Sequence, residues 1–404
     1  MKKIYELPDE ELPETPEVPG EEIEKRIEKL IRNMEKNDVD LSIIVHNVDR
    51  YYFTGTMQNG VLLVSREKGV KLFVRRTLES AVEESPLKGI EPYYGTKTVL
   101  DYIKNNGIKV KKLGLELDVI PAFLFLKFKG LFFQSEIHDI SVDIKKLRMI
   151  KSEFEVELLR EAGKRVDEVM FKMRDLIKPG VSEKDLLPEY VKLIVERESS
   201  PCIRTRQYNM EAIQKYILSG PSVFRQSYMD SPSAGGTGVT YAFPGGAGAR
   251  KIKKNEPIMI DLVMNYKGYN SDCTRVFAIS SLKDRFIKAH KISKECHKIF
   301  KDMSINGANV QEITKSIRSY VDKSEYASYF MGGVKFIGHG IGLELDEIPV
   351  ITDRFDETIK SGMVIALEPK FIFEDGAAGY ETTYLVKDGS IEALNKYPED
   401  IAIL

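Results

Sequence analysis

Apolar positions in the first part of the chain recur with two different periods. Between residues 23 and 34 they return every three or four residues, the spacing of an amphipathic helix, and a second helix is predicted over residues 97–105. Short apolar runs with the composition of strands occur at 41–55, 60–65, 70–76 and 112–117. This alternation of strands and helices predicts an α/β domain over residues 21–147.

The pattern changes near residue 148, where we place the start of a second domain that extends to residue 404. Apolar residues recur at helical spacing over residues 152–176, which predicts a long helix. Ser152 and Glu155, three positions apart at its start, have the spacing of a capping box.

The first twenty residues follow neither pattern. Residues 1–20 are acidic and carry four prolines, at 8, 13, 16 and 19, which predicts an extended leader. No apolar segment follows the two N-terminal lysines, so a secretory signal is not predicted.

A segment dense in Gly, Ser and Pro covers residues 219–250. A phosphate-binding loop would end in Gly-Lys-Ser or Gly-Lys-Thr, and that ending is missing from this segment. Two interpretations stay open, a long surface loop or a functional segment that forms a lid or a pocket wall, since structureless loops of this length are often functional.

Two aspartates lie in a predicted β-hairpin whose turn is expected at residues 265–268. In a hairpin centred there, Asp261 and Asp272 fall opposite each other with both side chains on one face. The face could simply be solvated. Apolar neighbours such as Ile260 and Leu262 argue for burial instead, and two facing buried carboxylates repel each other unless a cation lies between them.

Two further acids interrupt apolar strands near the C-terminus. Glu368 and Glu381 each occupy a single polar position in a predicted strand, and His339 stands between two glycines. Together with Asp261 and Asp272 these side chains would carry a charge of −4, which two divalent cations neutralise. Oxygen-rich ligands with one nitrogen suit Mn²⁺, Co²⁺, Fe²⁺ or Zn²⁺.

The segments that carry these residues resemble the pita-bread metallopeptidases, which include Xaa-Pro dipeptidase (prolidase), aminopeptidase P and methionine aminopeptidase. The resemblance extends over essentially the whole chain. It rests on DRYYFTGTMQNGVLLVS (49–65), RMIKSEFEVELLREA (148–162), IDLVMNYKGYNSDCTR (260–275), GHGIGLELDE (338–347), ALEPKF (366–371) and YETTYLV (380–386). The fold it implies is an α/β N-terminal domain of the creatinase/prolidase type followed by an α+β pita-bread catalytic domain.

The resemblance also implies a role for each predicted ligand. Asp261 would bind one metal ion, His339 and Glu368 would bind the other, and Asp272 and Glu381 would bridge both. Water activated between two ions would be the nucleophile. Glu368 would also be catalytic, as the group that shuttles the proton of that water.

Three positions depart from the resembled enzymes. Asp346 replaces a histidine seven residues after His339, Gly245 replaces a histidine in a segment before the first aspartate, and Gly379 replaces an arginine. Because both family histidines stabilise the substrate carbonyl, positions 245 and 346 are assigned to substrate binding. Asp346 is interpreted either as a surface acid or as a catalytic acid that binds a cationic substrate group or accepts a proton.

The function expected from the resemblance is a metal-dependent peptidase that acts on short peptides at the N-terminal residue, with Xaa-Pro bonds as the substrate. Two alternatives stay open. One is a hydrolase or lyase of a small cationic metabolite on the same fold, and the other is a non-catalytic binding protein.

Charge and cysteine usage narrow the partners. The chain has 60 Lys and Arg against 62 Asp and Glu, a net charge of −2 that predicts neither nucleic acid nor a membrane as partner. Its three scattered cysteines suit reduced thiols in the cytoplasm. A homodimer is implied by the resemblance. The remaining histidines have no partner at ligand spacing: His46, His138, His290 and His297.

Overall fold

The structure is a computed structural model that describes residues 16–404. The first fifteen residues of the predicted leader lie outside the described part. The chain divides into two compact units, Met1–Leu147 and Arg148–Leu404, called here the N-terminal and C-terminal units.

The N-terminal unit alternates short helices and strands around one six-stranded sheet. Its helices are α1 (Gly20–Lys36), α2 (Asn47–Thr54), α3 (Leu78–Glu84), α4 (Thr96–Asn105), α5 (Ala122–Leu131) and α6 (Ser141–Met149). Its strands are β1 (Leu41–Ile44), β2 (Gly60–Ser65), β3 (Gly69–Val74), β4 (Glu91–Pro92), β5 (Lys112–Leu115) and β6 (Glu136–Asp139). The sheet order is β4-β3-β2-β1-β5-β6, with β1, β5 and β6 mutually parallel.

One predicted strand of this unit is wrong. The apolar run 41–55 is a strand only to Ile44, and its second half is the helix α2. The guanidinium of Arg50 is buried within this region and donates to the carbonyl oxygens of Val45 and Gln58, on either side of the helix. These contacts satisfy backbone acceptors beyond the helix ends, so tertiary hydrogen bonding overrides the strand propensity of the apolar run.

The C-terminal unit contains two larger sheets and the longest helices. The helices are α7 (Glu153–Leu176), α8 (Leu187–Val195), α9 (Asp284–Ile305) and α10 (Val310–Val321). The strands are β7 (Cys202–Ile203), β8 (Ala212–Ile213), β9 (Tyr216–Ser219), β10 (Pro257–Tyr266), β11 (Tyr269–Ala278), β12 (Gly338–Gly340), β13 (Glu347–Val350), β14 (Val364–Leu367), β15 (Lys370–Phe373), β16 (Gly376–Gly379), β17 (Thr382–Lys387), β18 (Ser390–Ala393) and β19 (Ala402–Ile403).

The two larger sheets have the orders β19-β11-β10-β9 and β13-β12-β14-β17-β18. Strands β15 and β16 form a separate antiparallel pair, as do β7 and β8.

Helix α7 covers one face of the β10–β11 hairpin and determines which side chains face the other way. Ser152 caps the helix with the predicted reciprocal hydrogen bonds to Glu155. Alternate residues of β10 pack in the same buried cluster as the apolar stripe of α7: Ile258, Ile260, Leu262 and Met264. Because successive strand residues point to opposite faces, Asp261 is directed away from α7.

Among residues 16–404, no helix is long and apolar enough to cross a membrane.

Candidate metal centre

The hairpin of β10 and β11 places Asp261 and Asp272 on one face, although not opposite each other. Asp272 pairs with Val263, and Asp261 pairs with Thr274, so the two acids are diagonal neighbours. The predicted direct pairing was wrong because the turn consists of Lys267 and Gly268, which have φ values of 46° and 86°. Two positive φ angles are typical of the tight hairpin turn, which shifts the register by two residues.

His339 belongs to the second large sheet, and the two glutamates lie just beyond the ends of two of its strands. His339 lies in β12, between β13 and β14. Glu368 was predicted inside one strand, which is wrong, because Pro369 follows it and the chain breaks there into β14 and β15. Glu381 lies immediately before β17, and its backbone N–H donates to the carbonyl of Thr274 on β11.

Asp272, His339 and Glu381 are buried, and each offers one ligand-type atom within 4.8 Å of the others. Asp272 Oδ1 and Glu381 Oε1 are inaccessible to solvent and have no hydrogen-bond partner among the described residues. A buried carboxylate oxygen without a donor is costly, so a bound cation is the group that these oxygens fit.

The imidazole of His339 is oriented by its own backbone. Nδ1 lies 3.0 Å from the carbonyl oxygen of Gly340, to which a protonated Nδ1 donates. That tautomer leaves the lone pair of Nε2 available to a metal ion. Asp346 Oδ1 lies 3.6 Å from the same Nδ1, on the side of the ring opposite Nε2.

A lysine that the sequence reasoning missed lies among the acids. The Lys370 Nζ atom donates to Glu368 Oε2 at 2.8 Å, to Glu381 Oε2 at 2.7 Å and to Ser233 Oγ at 2.6 Å. It also lies 3.6 Å from Asp261 Oδ2, and its side chain is 1% exposed. A second donor to Glu381 Oε2 is the hydroxyl of Thr274, at 2.8 Å.

Burial and neighbouring charges shift the pKa values of these acids and of Lys370. Burial and the neighbouring Glu381 and Asp261 raise the pKa of Asp272 well above its ordinary value. Burial raises the pKa of Glu368 to about 8, although Lys370 acts to lower it. Burial alone would lower the pKa of Lys370, but Glu368, Glu381 and Asp261 raise it well above its ordinary value.

A cavity of about 280 Å³ opens onto these side chains. It is bordered by Asp261, Asp272, His339, Glu368 and Glu381, and its walls include apolar side chains such as Ile203, Met210, Ile213, Phe336 and Leu345. Asp346 also lines the cavity, and 45% of its side chain is exposed. Part of the glycine-rich segment, residues 229–231 and 234, forms another wall, as one of its two interpretations predicts.

The two glycines that replace family side chains both have positive φ angles and close neighbours. Gly245 is buried with φ +80°, and an added Cβ would lie 3.0 Å from Ser227 Cβ. Of the described residues, those that line the cavity do not include Gly245. Gly379 has φ +111°, and its Cβ would lie 2.4 Å from the carbonyl oxygen of Pro369.

All four remaining histidines have defined partners, and Nε2 of His138 lies 3.8 Å from Asp143 Oδ2. In the N-terminal unit, His46, Asp49 and Glu116 form a second group with ligand-type atoms within 4.8 Å, contrary to the expectation that His46 has no such partner. In the C-terminal unit, His297 stacks on Tyr380 with the ring centroids 3.9 Å apart, and Nδ1 of His290 accepts the Gly379 N–H. Both rings therefore support the segment that leads to Glu381.

Two regions of the chain match known protein families. Residues 157–388 match metallopeptidase family M24, and residues 26–150 match the creatinase/prolidase N-terminal domain. The chain is similar to the Xaa-Pro dipeptidase of Pyrococcus furiosus, with 26% identity over 94% of this chain and 100% of the relative.

Solved structures confirm the predicted fold class. A Xaa-Pro dipeptidase from Bacillus anthracis superposes with a TM-score of 0.79 at 24% identity, covering 95% of this chain and 100% of that one. An X-Pro aminopeptidase from Thermotoga maritima superposes with a TM-score of 0.78 at 21% identity, covering 94% and 99%.

Proposed function

The chain belongs to metallopeptidase family M24, and on this premise we propose that it cleaves short peptides at the N-terminal residue, with Xaa-Pro bonds as its substrates. The observation that carries the proposal is the buried pair of unpartnered oxygens, Asp272 Oδ1 and Glu381 Oε1, beside His339 at the floor of a cavity. Xaa-Pro bonds are proposed because relatives similar over almost the whole chain are Xaa-Pro dipeptidases.

The proposed metal ligands are the five residues predicted from the sequence: Asp261, Asp272, His339, Glu368 and Glu381. A divalent ion of Mn, Co, Fe or Zn, when bound, would polarise the substrate carbonyl and acidify a water molecule. The sequence predicts two such ions. The position of Lys370 among the acids limits how many ions can bind.

Glu368 is the proposed proton acceptor. Its carboxylate borders the cavity, and Lys370 holds one of its oxygens. The carboxylate can therefore take a proton from a water molecule that attacks the peptide carbonyl and return it to the leaving nitrogen.

Asp346 is proposed to bind the substrate's amino group. It lines the cavity with a half-exposed side chain, and an ionised carboxylate there would pair with the α-ammonium group of a peptide. The cavity volume, about 280 Å³, lies at the small end of the range for ligand pockets, so a substrate of dipeptide size fits best. Gly245 is proposed to affect substrate binding only because it lacks the side chain of the family histidine.

By the same family relationship we propose a homodimer without nucleic-acid or membrane partners. A cytoplasmic location is proposed from the three cysteines, which are free thiols in the structure.

The test is release of proline from a panel of Xaa-Pro dipeptides. Protein stripped with a chelator should be inactive, and Mn²⁺ or Co²⁺ should restore activity. Asp272→Asn should lower the restored activity by about 100-fold or more, because changes even to groups that only support a ligand cost 10–100-fold.

The matched control is Asp167→Asn. Asp167 is an acid of the same unit that accepts the backbone N–H groups of Lys396 and Tyr397, and this variant should retain activity. Metal-independent proline release, or equal loss in both variants, would contradict the proposal.

A further inference from the structure

We propose that the ammonium group of Lys370 occupies the place of one of the two predicted metal ions. Glu368 and Asp261 then face the lysine instead of serving as metal ligands, and a single divalent ion binds at Asp272, His339 and Glu381. The inference rests on the proposed metal-dependent function and specifies how many ions serve it.

The contacts of Lys370 are those of a cation held in a built site. Its three N–H groups have three acceptors within 2.8 Å, namely Glu368 Oε2, Glu381 Oε2 and Ser233 Oγ. An ammonium group has three donors and no acceptor, so these contacts satisfy it fully.

A metal ion between the same carboxylates would compete with this ammonium group for space. Metal–oxygen distances for such ions are about 2.0–2.2 Å, shorter than the N–O distances of the lysine. An ion between Glu368 Oε2 and Glu381 Oε2 would therefore lie inside the contact distance of Nζ. The nitrogen has no lone pair to offer, and its positive charge repels the ion, so the two cations exclude each other.

The backbone of Lys370 holds the side chain in place. Lys370 begins β15 and pairs with Gly379 of β16, where an added Cβ would lie 2.9 Å from the Lys370 Cα. The glycine at 379 thus permits the close approach of the two strands. The side chain of the lysine is only 1% exposed.

One ion can still bind on the side that the lysine leaves open. Asp272 Oδ1 and Glu381 Oε1 receive no hydrogen bond from Lys370 or from any other described residue. Asp272 and Glu381 together with His339 offer three ligand-type atoms within 4.8 Å of one another, and all three residues border the cavity. Three protein ligands with one position left for water or substrate is the arrangement of a catalytic mononuclear site.

The experiment counts metal ions in the full-length chain. After chelator treatment and reconstitution with Mn²⁺, elemental analysis and calorimetric titration should find one ion per chain in the wild type. Electron paramagnetic resonance should show the signal of isolated Mn²⁺. In Lys370→Ala the count should rise to two, with the spectrum of a magnetically coupled pair.

The matched control is Lys151→Ala. Lys151 is also a buried lysine paired with a carboxylate, Glu347, but it lies outside the centre. This variant should keep one ion per chain. It therefore shows whether an increase in ion number results from losing the cation inside the centre or from general destabilisation.

Each outcome decides the inference. Two coupled ions in an active wild type would overturn it and leave the proposed peptidase standing. An unchanged single ion in folded Lys370→Ala would overturn it as well. If this variant fails to fold, the wild-type count and spectrum still decide. Absence of both metal binding and metal-dependent hydrolysis in the wild type would overturn the proposed function itself.

Discussion

Two groups of buried carboxylates lie in the C-terminal unit, and they differ in how their charge is compensated. In the first, here called the Glu347 cluster (Arg148, Lys151, Glu344 and Glu347), Arg148 pairs with Glu344 at 2.8 Å and with Glu347 at 2.5 Å. Lys151 pairs with Glu347 at 3.0 Å. A third cation, Arg206, lies 3.7 Å from Glu344, so the two acids meet three cations. Although burial would raise the pKa of Glu347, Arg148 and Lys151 lower it to about 2.

The second group is the metal centre, where four acids meet one lysine. There the pKa of Asp272 is raised by burial and by its acidic neighbours, the opposite direction from Glu347. Both groups are buried, so burial alone does not distinguish structure from function. The two groups differ in their positive charge. The second group has fewer cations than acids, so we expect an added cation to stabilise it.

Breaking the compensated cluster should have the largest effect on folding. Arg148→Met leaves Glu344 and Glu347 buried with one cation fewer, and removing one partner of a buried pair costs about 3–5 kcal/mol. Urea denaturation should show this loss in the free energy of unfolding, with or without metal. The double variant Arg148→Met with Glu344→Gln should recover part of it. A loss below about 1 kcal/mol in the single variant would show that the cluster is not balanced in this way.

Removing one acid from the metal centre should change the free energy of unfolding by a smaller amount. The sign of this change should depend on whether a metal ion is bound. Without metal, Asp272→Asn should unfold at higher urea concentration than the wild type, because it removes one of four repelling charges. With Mn²⁺ at 100 times the wild-type dissociation constant, the wild type gains about 2.7 kcal/mol from binding. The variant, with affinity about 100-fold lower, should lose most of this gain. Lower stability of the metal-free variant would break the comparison.

The smallest effect is expected at the exposed edge of the centre. Asp346→Asn should raise KM for Ala-Pro about 10-fold, equivalent to about 1.4 kcal/mol, with kcat and metal content little changed. An N-acetylated substrate lacks the ammonium group and should show no difference between the two proteins. A fall in metal content would instead assign Asp346 to the support of His339, from whose Nδ1 it lies 3.6 Å.

The acids proposed as metal ligands were predicted from the sequence because an acid in an apolar strand is unusual. Asp261 alternates with Ile260 and Leu262, and the strand period then places it opposite the helix-covered face. The same reasoning missed the register of the hairpin, since that depends on whether Lys267 and Gly268 or their neighbours adopt positive φ angles. A shift of the turn by one residue changes the cross-strand partner of each residue by two positions.

Lys370 was missed for a different reason. A lysine in a strand ordinarily points to solvent, and no periodicity in the sequence indicates that this one is buried. Its partners come from residues 233, 261, 368 and 381, which only the folded chain brings together. The available signal was a lysine next to Phe371 and Ile372 in a segment that already carried a predicted ligand.

The proposed ligands of the centre come from two different sheets, and this arrangement has a consequence for folding kinetics. Asp272 belongs to the β10–β11 hairpin, whereas His339 lies in β12 of the other large sheet. An ion bound by both would connect two residues that lie 67 positions apart in the chain. Such long-range contacts complete late in folding, and interactions absent from the transition state act mainly on the rate of unfolding. A bound ion should thus prolong the lifetime of the folded unit while leaving its rate of formation almost unchanged.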